Sequence, residues 1–185
     1  MDRTLALEAL KLRIENTRII KHSLIVEAIM RRLAKHFHED VDLWGISGIV
    51  HDIDLERICE AKEIHGMMGG NILEGLDYDE TIVYAVRAHN PENNLPRRRR
   101  LDKALYCADP MANFIFACAQ TLPDKNLCKV SKSVIIDHFN KQGFEEHNKE
   151  QIATCSELDL KLEEFIELSL EAIQSINSQL EIIIE

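Results

Sequence analysis

Seven glycines and four prolines in 185 residues, with few alternations of β-branched and polar residues, leave little from which to build strands and hairpins. No Cys-x-x-Cys pair occurs. The five cysteines (Cys59, Cys107, Cys118, Cys128, Cys155) are odd in number and scattered, which speaks against both a disulfide framework and a thiolate zinc site. No apolar run approaches the roughly 18 residues that a membrane span requires, and the opening MDRTLALEALKLR lacks a basic segment followed by an apolar one. The expectation is a cytoplasmic protein with no membrane partner. Positive charge is scarce too: 22 Lys and Arg face 32 Asp and Glu, for a net charge of −10. Such a balance disfavours a partner made of nucleic-acid duplex, because a phosphate backbone needs dense positive charge. A small anionic substrate remains compatible with it where charge reverses locally.

What the chain does have is apolar residues, 45% of the total, recurring at i, i+3/i+4, i+7 nearly throughout. The fold class is therefore all-α. The spacing predicts helices over 3–15, 19–37, 40–52, 64–75, 78–90, 97–119, 129–140, 148–155 and 157–182. Length and the absence of a low-complexity linker suggest one domain over 1–185.

Polar residues interrupt these apolar faces at a few places. GIVHDIDLER (48–57) is an apolar run that ends in His51, Asp52 and Asp54, and an unpaired buried carboxylate costs several kcal/mol. Stepping by three and four puts His22 on one stripe with Ile25, Val26, Ile29 and Leu33; His65 falls with Met68, Gly69 and Ile72, and His89 with Ile82, Ala85 and Val86. Asp109 shares a face with Leu105, Tyr106, Ala112 and Phe116. A single inward histidine is ordinarily a hydrogen-bonded core residue. Several histidines and two aspartates on inner faces of successive helices are costly to satisfy one at a time, whereas one metal centre satisfies them together. Imidazole and carboxylate without thiolate suit Mn, Fe, Co, Ni, Zn or Mg better than a structural zinc site.

The order His22, His51-Asp52, Asp109 resembles the H…HD…D signature of the HD superfamily of metal-dependent phosphohydrolases, over about residues 18–118. HGMMGG (65–70) and VRAHN (86–90) resemble the extra histidine positions of two-metal members such as diadenosine tetraphosphate hydrolases. RAHNPEN, LDKALYCADP and KLEEFIELSLEAI are similar to a small bacterial HD group. The resemblance implies a compact HD-domain helical bundle with an additional C-terminal helical segment, about 129–182, packed on it. It implies a first metal held by His22, His51, Asp52 and Asp109, a second by His65 and His89, and Asp52 bridging the two. The implied reaction is cleavage of a phosphate ester or anhydride of a nucleotide or similar small metabolite by metal-activated water. Two other readings stay open: a di-iron oxygenase on the same scaffold, and a metal-containing nucleotide-binding regulatory domain without turnover.

Many HD enzymes place a cation shortly after the HD pair to hold phosphate; here Asp54 and Glu56 come first, then Arg57. Asp54 reads either as a catalytic residue close to the metals, a partner behind the metal ligands or a proton acceptor, or as a solvent-exposed turn residue at the helix C-terminus. Arg97 to Arg100 open a helix whose dipole opposes them, so Arg97 and Arg100 are candidates for binding substrate, the alternative being pairing with surface glutamates. Lys103 carries the same two readings. His36, His38, His138 and His147 are taken as non-ligands. Ser156 and Asp159 are expected near the cap of the last helix, and the terminal LEIIIE suggests a homodimer contact.

Overall fold

The computed structural model describes residues 2–58 and 61–176, and among these every regular element is helical. In order they are α1 (Arg3–Lys11), α2 (Thr17–Phe37), α3 (Val41–Val50), α4 (Met67–Glu74), α5 (Glu80–His89), α6 (Arg100–Gln120), α7 (Lys132–Asn140), α8 (Glu146–Ala153) and α9 (Leu162–Ser175), with short 3-10 turns between some of them.

Helices α2 and α3 form the central seam. Helix α3 is buried from Trp44 to Val50, as a short helix apolar on all sides must be. It presses directly onto α2: a Cβ on Gly48 would stand 2.8 Å from the backbone N and Cα of Glu27, so only glycine permits this approach. Ile29 and Ile49 are fully buried; each such side chain contributes roughly 1.5–3 kcal/mol. That burial offsets the cost of polar groups at the end of the seam. Helices α5, α6 and α9 complete the packing around α2 and α3, and α7 and α8 lie against α6.

Element ends follow local chemistry. Asn16 caps α2 by accepting from the Arg18 N–H, and Asp40 caps α3 by accepting from Asp42 and Leu43. Helix α1 stops at Lys11 rather than residue 15, and α3 stops at Val50 rather than residue 52. Residues 51–57 continue as overlapping turns, with bonds from Ile53 to Val50 and from Leu55 to Asp52. The expected 64–75 helix starts only at Met67, because Gly66 has φ +78°, a left-handed conformation that breaks the helix and that side-chain-bearing residues avoid. The expected 157–182 helix divides: a 3-10 turn covers Thr154–Leu158, Asp159 takes φ +60°, and α9 begins at Leu162 after Lys161 with no side-chain cap. Ser156 donates to the Ala153 carbonyl instead of capping α9. The LEIIIE segment lies outside the described residues.

Candidate metal centre

Four helices and one turn bring His22, His51, Asp52, His65, His89 and Asp109 to one place. His22 comes from the second turn of α2, and His51 and Asp52 from the end of α3. His65 precedes α4, His89 ends α5, and Asp109 lies in α6, immediately before Pro110. His51 and Asp54 have no exposed surface, and His89 and Asp52 almost none.

The carboxylate of Asp52 faces two ways. Its Oδ2 lies 3.2 Å from His51 Nε2 and 3.7 Å from His22 Nε2. His22 Nε2 is in turn 3.0 Å from Asp109 Oδ1 and 3.3 Å from His51 Nε2. The other oxygen, Oδ1, lies 3.3 Å from His65 Nε2 and 3.7 Å from His89 Nε2, which are 3.1 Å from each other. The result is two donor groups sharing one carboxylate.

The fit to a metal is testable on these atoms. His51 Nδ1 donates to the Gly48 carbonyl at 2.8 Å, His89 Nδ1 to the Val86 carbonyl at 2.6 Å, and His65 Nδ1 to Asp54 Oδ1 at 2.8 Å. A neutral imidazole protonated at Nδ1 has only a lone pair on Nε2. Three Nε2 lone pairs therefore point at each other, at His22 or at a carboxylate, an arrangement of acceptors that only positive charge stabilises. Donors about 2.1 Å from one ion stand roughly 3.0 to 3.4 Å apart in octahedral or tetrahedral geometry, close to the separations observed. Both His22, His51 and Asp109, and His51, Asp52 and His89, have one atom each within 4.8 Å of the others. The residues fit divalent ions: His22, His51, Asp52 and Asp109 would hold one, Asp52, His65 and His89 another.

Electrostatics agree. Burial disfavours charge on His51, yet Asp52 and Asp109 outweigh it and hold the imidazole well above its usual range. Burial likewise opposes protonation of His65, but Asp52 and Asp54 bring it to about 9. Conversely, burial opposes ionisation of Asp52 and Asp109, while the histidines around them keep both carboxyls below the usual range. The site is built for cations, whether protons or metal.

Asp54 is neither in solvent nor facing the donor groups. It stands behind His65, and its Oδ2 also accepts the Gly66 and Gly69 N–H groups at 2.8 Å each. Burial would raise its pKa, but His65 and these two N–H groups hold it lower. It is a positioning residue that fixes both the tautomer and the ring plane of His65. Glu56 turns the other way and accepts from the Glu15 N–H at 2.9 Å and the Asn16 N–H at 2.6 Å, at the entry to α2.

The candidate substrate cations are not brought to the centre. Arg97 pairs with Glu157 and lies over the Tyr106 ring, Lys103 donates to the Glu157 carbonyl, and Arg100 pairs with Glu39. His36, His38, His138 and His147 are not among the converging residues. Sequence reading missed the residues that hold the centre from outside. Asn93 donates to the carbonyls of His65 and Arg87, Asn90 also donates to that of His65, and Asn113 donates to Asp109 Oδ1 at 3.2 Å. The i, i+4 spacing of Asp109 and Asn113 was the available signal.

No curated protein and no solved structure matches the chain. The model of the HD domain family does, over residues 19–113. That span is just over half of the chain and contains all six converging residues. HD domains bind divalent metals, and the family is mostly one of metal-dependent phosphohydrolases. With its helical fold, its donor set and the matched span in agreement, the chain belongs to the HD domain family.

Proposed function

We propose that this protein is a two-metal phosphohydrolase that cleaves a phosphate ester or anhydride in a nucleotide or a similar small phosphorylated metabolite. The observation that carries the reading is the divided carboxylate of Asp52, with one oxygen toward His22, His51 and Asp109 and the other toward His65 and His89. Paired divalent ions acidify water and stabilise charge on phosphoryl oxygens.

The chain's own groups supply orientation and dryness. Backbone carbonyls of Gly48 and Val86 fix the rings of His51 and His89, and Asp54 fixes that of His65. Ile49, Val50 and Ile53, which flank His51 and Asp52 in sequence, are all fully buried. Cys107 is not placed to act as a nucleophile: it is fully buried, and burial pushes its thiol well above the usual range.

The test is a panel of phosphomonoesters, nucleotides and dinucleoside polyphosphates, assayed anaerobically with protein reconstituted with Mn or Co. Release of inorganic phosphate, or of nucleotides from the dinucleoside polyphosphates, that disappears in Asp52→Ala is the expected result. Activity without oxygen and without iron argues against the oxygenase reading. Two bound ions without turnover on any member of the panel overturns the hydrolase and favours a regulatory domain.

A further inference from the structure

A cavity of about 590 Å³ adjoins the centre on one side only: His22 forms part of its wall, as does Asn113, which holds Asp109. Its volume lies within the roughly 300–1,000 Å³ typical of small-molecule sites. Helix α2 contributes Arg18 and Lys21, and the loop after α6 contributes Lys125. None of these three cations makes an ion pair among the described residues. The one acid in the wall, Asp124, is paired with Lys129. In a chain of net charge −10, three positive charges around this cavity thus have no ion-pair partner among the described residues. The wall also has an apolar part, with Ile25, Leu127 and Phe116, which stays 42% exposed.

The charges distinguish substrate classes. The scissile phosphate of a simple monoester is neutralised at the metal centre and leaves Arg18, Lys21 and Lys125 without a partner. A phosphate chain extending from the scissile group into the cavity finds these cations in its wall, and an attached flat base or ring finds Phe116. We propose that this cavity is a subsite for the part of the substrate beyond the scissile phosphate, and that the preferred substrates are phosphoanhydrides attached to a flat ring, such as nucleoside diphosphates or longer polyphosphates. This assignment rests on the phosphohydrolase reading for its catalytic meaning, but its binding test does not.

The test compares Mn-loaded protein binding two probes that resist hydrolysis: the phosphonate analogue of AMP and the α,β-methylene analogue of ADP. Charge-assisted contacts to added phosphate oxygens predict tighter binding of the ADP analogue by roughly tenfold or more. The variant Arg18→Gln/Lys21→Gln/Lys125→Gln is expected to abolish that preference while keeping the parent's Mn content, which reports that the centre is intact. Phe116→Ala is expected to weaken both nucleotide analogues while leaving methylene diphosphonate, which has no ring, unaffected. Equal affinity for the two analogues in the parent protein, or a preference that survives in the triple variant, overturns the subsite. Absence of hydrolysis with the preference intact overturns only the phosphohydrolase reading; hydrolysis of monoesters with no preference overturns only the subsite.

Discussion

Asp54 offers a way to separate folding from metal binding within one side chain. It is fully buried and accepts three bonds of 2.8 Å, from His65 Nδ1 and from the Gly66 and Gly69 N–H groups. Replacement by alanine leaves three donors unsatisfied, each costing about 1–3 kcal/mol. Water entering the space recovers part of this, so a loss of about 3–6 kcal/mol is expected, enough to threaten the fold. Asp54→Asn behaves differently. Its oxygen can still accept from Gly66 and Gly69, and the loss of charge costs about 1–2 kcal/mol. Its amide N–H₂, however, now faces the N–H of His65, and two donors cannot bond. The imidazole relieves the conflict by moving its proton to Nε2, the atom aimed at Asp52.

Asn at 54 therefore damages one donor group and leaves the other untouched, since Asp54 shares no hydrogen bond or ion pair with His22, His51 or Asp109. Loss of such an outer partner typically weakens metal affinity by about 10–100-fold. Titration calorimetry with Mn, together with metal analysis after dialysis, should show one ion retained at parental affinity and the second weakened by that factor, with thermal unfolding only slightly earlier. Two ions bound as in the parent would refute the positioning role. Equal weakening of both would refute the separation into two donor groups.

Four further outcomes are expected of the same fold. Saturation at 100 times Kd adds about 2.7 kcal/mol per ion, so chelation should lower Tm by several degrees in calorimetry; metal analysis should find no ion in Asp52→Ala and about half the parental content in His89→Ala. Gly48→Ala places a Cβ 2.8 Å from the Glu27 backbone and should cost about 1–3 kcal/mol in denaturant unfolding, with metal lost as α3 moves away from α2. Glu56→Ala removes the acceptor for two N–H groups entering α2 and should cost about 1 kcal/mol while metal analysis finds parental content. Asp79→Ala removes the cap of α5 at a cost of about 1 kcal/mol. Its bonds from Thr81 keep Asp79 below its usual 3.8, so in denaturant unfolding across pH the difference from the parent should be full above about 4 and shrink as acid titrates the carboxylate.

Periodicity disclosed the helices and the inward side of His22, His65 and His89, because burial of a stripe is a local property of a helix. It could not show that α3 ends at Val50, since His51 and Asp52 continue in αR-like turns that depend on what packs beyond them. The uses of charge were least legible. Arg97 finds Glu157 60 residues away, and Glu56 finds the Glu15 N–H 41 residues away. Such pairs depend on how helices are arranged in space, and no window along the chain contains both members. Arg18 and Lys21 went unremarked for the opposite reason: they adjoin His22 in sequence, but isolated cations on a helix are ordinary until the cavity against them is visible.

The acids after the HD pair follow from the same geometry. N–H groups at the start of a helix form an anion site that a phosphate can occupy. Here Asp54 takes those of Gly66 and Gly69 at the entry to α4, and Glu56 takes those of Glu15 and Asn16 at the entry to α2. Carboxylates of the chain thus occupy positions where an oxyanion would bind, and a cation added at residue 54 or 56 would find donors rather than acceptors. What they secure instead is geometry. Asp54 fixes His65 in one donor group, while Glu56 secures the entry of α2, ahead of Arg18 in its first turn and His22 in its second. Within six residues, His51 to Glu56, the chain thus places two metal-facing groups, one partner behind His65 and one anchor for the entry of α2. The cations without such a role, Arg18 and Lys21 on α2 and Lys125 on the loop after α6, line the cavity that His22 and Asn113 also border.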